Sequence, residues 1–72
     1  MTLSSLYNKD VYTEGGKYVG KVVDALIDPD AGKVVGLLID TRGSTYFQGS
    51  SRYKAIPFER VISVHDIILI RE

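Results

Sequence analysis

The residues Tyr18-Val19-Gly20-Lys21-Val22-Val23-Asp24-Ala25-Leu26-Ile27-Asp28, Pro29-Asp30-Ala31-Gly32 and Lys33-Val34-Val35-Gly36-Leu37-Leu38-Ile39-Asp40 decide the fold class. Two runs rich in β-branched and aliphatic side chains flank a short turn signal. Proline presets the φ of a turn's second position, and glycine supplies a left-handed exit. The stretch therefore predicts a long β-hairpin. Gly20, inside the first run, marks a bulge or a close backbone approach.

Outward from this hairpin the same texture continues. Asp10 to Thr13 reads as a strand ended by Glu14-Gly15-Gly16-Lys17, whose paired glycines suit a tight turn. Thr41 to Arg52 is rich in Gly, Ser and Thr and reads as a long loop. Ala55-Ile56-Pro57 reads as an edge segment, because Pro57 cannot donate to a ladder. Val61 to Val64 and Ile67 to Ile70 form a last hairpin around His65-Asp66. No window carries a helical apolar period. The expected fold is all-β: one domain over residues 1–72, a small antiparallel barrel of five to six strands.

Composition narrows the function. Nine basic residues balance nine acidic ones, so the basic footprint of a nucleic-acid binder is missing. There is no cysteine and one histidine, which removes disulfides, thiolate metal sites and histidine clusters. No apolar run is long enough to span a bilayer as a helix. Met1-Thr2-Leu3-Ser4-Ser5 lacks a basic stretch followed by an apolar core, so the expectation is a cytoplasmic protein without membrane insertion.

A search for chemistry returns structural roles. His65-Asp66 is the only His–acid pair, and adjacent turn residues seldom converge. Asp24, Asp28, Asp30 and Asp40 match no calcium-loop spacing, and Asp at turns serves backbone bonding. Gly15-Gly16-Lys17 lacks the frame of a phosphate loop. No cofactor, metal or catalytic group is expected, and the chain is read as a non-enzyme.

The apolar pattern points to protein contact. On the third strand Val34 and Leu38 share one face and Val35, Leu37 and Ile39 the other, while Ile67 to Ile70 leave neither face polar. In so small a barrel one apolar face is expected to point outward. The expected interface is Val35, Leu37, Ile39, Ile68 and Ile70, serving a dimer, a polymer or pairing with a paralogous barrel. The competing account covers that face within one chain, by loops or by Leu3, Leu6 and Tyr7. Arg42, Tyr46, Phe47, Arg52 and Tyr53 in the long loop are candidates for a second contact. Interleaved aromatic and basic residues also suit stacked RNA bases, which neutral overall charge disfavours.

The order of several short motifs resembles a known family. Leu6-Tyr7-Asn8-Lys9-Asp10-Val11-Tyr12 followed by Gly16-Lys17-Tyr18-Val19-Gly20-Lys21-Val22 is similar to the opening of the PRC-barrel domain. Leu26-Ile27-Asp28, Gly32-Lys33-Val34-Val35-Gly36-Leu37, Ile56-Pro57 and Val64-His65-Asp66-Ile67-Ile68 follow in the same order. His65 stands where the family commonly has glycine, which implies either a left-handed histidine or a different turn. The resemblance implies a non-catalytic module of the small archaeal type. Some such proteins are adaptors in FtsZ-based cell division, partners of the membrane-anchoring adaptor SepF and of one another, recruited to the division site. A second implied role is RNA processing or ribosome maturation, with salt-sensitive binding through Arg42, Arg52 and Lys54.

Overall fold

A computed structural model describes residues 3–49 and 51–72. Six strands follow in chain order: β1 Asp10–Thr13, β2 Tyr18–Asp28, β3 Lys33–Asp40, β4 Tyr53–Pro57, β5 Val61–Val64 and β6 Ile68–Ile70. Single 3-10 turns occupy Leu3–Ser5 and Phe58–Arg60. The strands form one sheet in the order β4-β3-β2-β1-β6-β5, curled about a single core. All six strands lie where the sequence places strands, and the expected edge segment Ala55 to Pro57 falls in β4 at an edge of the sheet. The antiparallel expectation needs one correction, because β1 and β6 run parallel. The chain joins its last hairpin to the sheet by bringing β6 beside β1, and a parallel pair needs just such a long-range return.

The turns explain the strand ends. Thr13 is buried, and its hydroxyl accepts from Lys17 N at 3.0 Å while Gly16 N bonds Thr13 O at 2.9 Å. At the other end of β2, Asp28 Oδ1 accepts from Asp30 N at 2.9 Å and Ala31 N at 3.2 Å. Gly32, with φ +65, closes that turn by bonding Asp28 O at 2.7 Å. Asp28 and Asp40 therefore have the backbone roles expected of turn aspartates. His65 is not left-handed; Asn8, with φ 66, is the one non-glycine residue of positive φ among the described residues. The β5–β6 turn instead folds so that His65 N bonds Ile67 O at 3.0 Å.

Four irregularities set which side chains face the core, one of them at Ile62, the extra residue of β5 opposite β6. Val19, Val23 and Val35 are each an extra residue, opposite a shorter partner strand. Beside the first, Gly20 (φ +147) packs against the Asp40 carbonyl and Ile39, leaving no room for a Cβ. The core itself is Leu6, Val11, Val19, Val22, Leu37, Ile39, Ile56, Ile68 and Ile70, with half-buried Tyr46, Phe47 and Phe58 packed against it.

Candidate docking surface

The expected interface is corrected by this packing. Leu37, Ile39, Ile68 and Ile70 are each 0% exposed, so they hold the barrel together and cannot meet another chain. Only Val35 of the five reaches solvent. Leu6, buried at the core, provides the intrachain cover that was the competing account, whereas Tyr7 stays exposed. The side chain of Leu3, also named for that cover, lies outside the described residues.

Two of the five expected loop residues turn inward too. Tyr46 and Phe47 meet edge to face, with ring centroids 4.9 Å apart, and pack on the core. Arg60 stacks over the Tyr46 ring and donates to its hydroxyl at 2.6 Å. The same guanidinium donates to Arg71 O at 2.7 Å, tying the loop to the chain end. Ser44 anchors the loop's start, donating to Tyr18 O and accepting from Phe47 N at 2.9 Å. Arg42, Arg52 and Tyr53 remain on the surface, with Arg52 over the Tyr53 ring. A stacking platform built from Tyr46, Phe47, Arg52 and Tyr53 together is therefore not present.

At the root of the β2–β3 hairpin, the charges are organised by Asp40. Its buried carboxylate accepts from Arg42 N at 3.1 Å and pairs with Arg42 Nη2 at 3.0 Å and Arg52 Nη2 at 3.5 Å. The Arg42 backbone bond, then both guanidinium groups, hold this carboxyl below the ordinary carboxylate range against the opposing effect of burial. Nearby, Asp10 accepts from Lys21 Nζ at 3.0 Å and the Tyr18 hydroxyl at 2.8 Å. The Lys21 bond, followed by that of Tyr18, lowers the Asp10 pKa. Burial first, then the Asp10 carboxylate, pushes Tyr18 up to about 12. These groups are satisfied by one another, and among the described residues no group of three or more His, Cys, Asp or Glu side chains could hold a metal.

The hairpin's outward face is the surface that remains. Val22 and Ala25 pack inward on β2, as Leu37 and Ile39 do on β3, so their neighbours point away from the core. Lys21, Asp24, Leu26 and Asp28 on β2 thus share one outer face with Gly36, Leu38 and Asp40 on β3. Ala55 and Pro57, either side of buried Ile56, extend it onto β4. Leu26, 38% exposed, lies across Gly36, where a Cβ would come within 3.2 Å of Leu26 Cδ1. The middle of this face is apolar, from Leu26 through Leu38 to Ala55 and Pro57. Asp24 beside Leu38, and Asp28 and Asp30 at the tip, make no ion pair among the described residues.

The tip also projects beyond the barrel. β1 pairs with β2 no further than Lys21, and β4 pairs with β3 only from Gly36 onward. Ala25 to Asp28 and Lys33 to Val35 therefore form a two-stranded ribbon. On the inner side an open groove separates Lys33, Val34 and Val35 from Pro57, Phe58 and Glu59. Sequence alternation missed the outer face because it assumed strict period two. The extra residue Val35 resets that period, turning Val34 to the core while Val35 stays exposed. The signal available was Asp24-Ala25-Leu26-Ile27-Asp28, whose alternate residues are Asp, Leu and Asp.

Two comparisons bear on this surface. The family model of the PRC-barrel domain matches residues 1–72. An uncharacterised protein of Methanocaldococcus jannaschii is 26% identical over 73 residues, covering 100% of this chain and 82% of that protein.

Proposed function

The chain belongs to the PRC-barrel domain family, and we propose that it acts as an adaptor that joins protein chains through the outer face of its β2–β3–β4 sheet. PRC-barrel domains are typically small non-catalytic interaction modules. The observation that carries the proposal is the apolar centre of an outward sheet face, with Leu26 at 38% exposure beside half-buried Leu38. In a domain of 72 residues such a face is free surface whose removal from water favours association. The chain self-associates or pairs with a paralogous barrel, and it docks on a SepF-like adaptor of FtsZ-based archaeal division. The archaeal relative and the motif resemblance support that setting. Among the described residues no helix is long and apolar enough to cross a membrane, so recruitment to a membrane-bound division site is assigned to the partner.

Light scattering over a wide concentration range tests the association, with Leu26→Lys as the variant. Native protein is expected as a multimer and the variant as a monomer with an unchanged circular dichroism spectrum. A native monomer at the highest concentration overturns self-association. Affinity capture of the SepF-like adaptor by native protein, and not by Leu26→Lys, tests the docking. Equal capture by both removes the outer face as its site.

A further inference from the structure

The charges on the long hairpin specify how two copies meet, given the self-association proposed above. At the root, Lys21, Arg42 and Arg52 outnumber Asp10 and Asp40 by one positive charge. At the tip, Asp28 and Asp30 outnumber Lys33 by one negative charge, while Asp24 lies mid-hairpin opposite Leu38. Between them lies the apolar stretch of Leu26, Leu38 and Ala55. Lys21 and Asp28 are separated by seven residues, roughly 23 Å at the rise of an extended strand. The midpoint falls at Asp24–Ala25, opposite Leu38 and Leu37.

We propose that the outer face binds a second copy of this chain in a closed two-fold dimer with antiparallel hairpins. Each acidic tip then lies on the partner's basic root, and the axis passes beside Leu38. A two-fold contact is self-complementary, so one charge gradient along the hairpin satisfies both ends at once. Parallel hairpins would place tip on tip, opposing four carboxylates, and like charges across an interface are costly. The two sheets would stack face to face at the usual spacing of about 10 Å, with the leucines between them. The protruding ribbon gains a packing surface that its own barrel does not give it.

Charge-reversal variants test the arrangement. Asp30→Lys reverses the tip and leaves Asp28, whose carboxylate caps the turn. Lys21→Glu reverses the root and leaves Arg42 and Arg52 on buried Asp40. Each variant alone is expected to dimerise at least about tenfold more weakly than native protein, an effect that salt diminishes. Mixed together, they restore native affinity as a heterodimer, because both tip–root contacts are again opposite in sign. Circular dichroism confirms that each variant is folded. Tighter pairing of the tip variant with native protein than of native protein with itself would show tip-on-tip packing and overturn the proposal. Mass that keeps growing with concentration would show an open chain of copies and overturn it as well. Native monomer would remove the self-association beneath it, whereas a native dimer indifferent to both variants would refute the antiparallel arrangement alone.

Discussion

Leu37 and Leu38 are chain neighbours on opposite faces of β3, so the same substitution at each should fail in different ways. Leu37 is 0% exposed within the core. Truncating such a leucine costs about 2–5 kcal/mol. Replacing it with lysine adds the desolvation of an ammonium group or the neutralisation that avoids it, several kcal/mol more. A domain of this length has roughly 4–11 kcal/mol of stability at the usual value per residue. Leu37→Lys is therefore expected to be largely unfolded in buffer, without a cooperative urea transition. Leu38 is half-buried and faces out opposite Asp24, where a lysine gains a carboxylate neighbour. Leu38→Lys should keep its urea midpoint, extrapolated to infinite dilution, within about 1 kcal/mol of native. Its dimer loses two leucines and gains two facing ammonium groups. At about 1 kcal/mol per residual leucine burial, association weakens at least about 30-fold. Urea titration followed by circular dichroism measures the first effect and sedimentation velocity the second. A folded, monomeric Leu37→Lys would refute the assignment of faces, as would a Leu38→Lys that dimerises like native protein.

Two further predictions test the framework around the site. Gly20→Ala forces a Cβ into the Asp40 carbonyl at a φ of +147, and should cost about 1–3 kcal/mol, read as a lower melting temperature; an unchanged melting temperature refutes the close approach. The perturbed groups also set both pH limits of stability. Asp40 has a lowered folded pKa, so its stabilisation is present above the ordinary carboxylate value of 3.8 and lost as pH falls through the folded value. Tyr18, raised from 10.0 to about 12, contributes below pH 10 and loses that contribution as pH rises toward 12. Urea midpoints across pH should show Asp40→Asn flattening the acid limb and Tyr18→Phe the alkaline limb. Limbs that keep their native slopes in these variants refute the assignments.

The strands were readable because each is bounded by residues with a local mechanism. Gly16, Asp28 and Gly32 close turns through their own backbone and side-chain bonds, and such signals survive in a single sequence. The parallel contact of β1 with β6 was not readable, since it joins Val11 to Ile68 across most of the chain. The inward placement of Leu37, Ile39, Ile68 and Ile70 was misjudged for a different reason. Small size suggested that an apolar face must be exposed, but Leu6, Tyr46 and Phe47 come from outside the strands to close the core. Tyr46 and Phe47 sit in a polar Gly/Ser/Thr-rich segment, so composition marks them as loop residues although their rings belong to the core. The outer face was hidden by the extra residues Val23 and Val35, which alternation cannot locate without the partner strand.

Those extra residues connect the fold to the proposed activity. Up to Lys21, β2 is a barrel strand with neighbours on both sides, and its inward side chains are covered by a shared core. Beyond Val23 it has β3 alone, and a two-stranded ribbon in water is marginal without something to pack against. Val34 and Phe58 pack on the core at the ribbon's base, an open groove separates Lys33, Val34 and Val35 from Pro57, Phe58 and Glu59, and among the described residues no further strand pairs with the ribbon. Yet β2 as a whole runs 11 residues, and its ribbon end is capped by Asp28 and Gly32 rather than frayed. An element extended past its own core, ordered at its end and apolar at its centre gains most from a second sheet. Association and local stability are then linked, so the tip amides Ala25 to Asp28 should exchange hydrogen more slowly as protein concentration rises. Exchange at Val11 and Ile68, inside the barrel, should respond only through global unfolding. Tip protection that is independent of concentration would mean that the ribbon is stable alone, and the physical reason for pairing it would be lost.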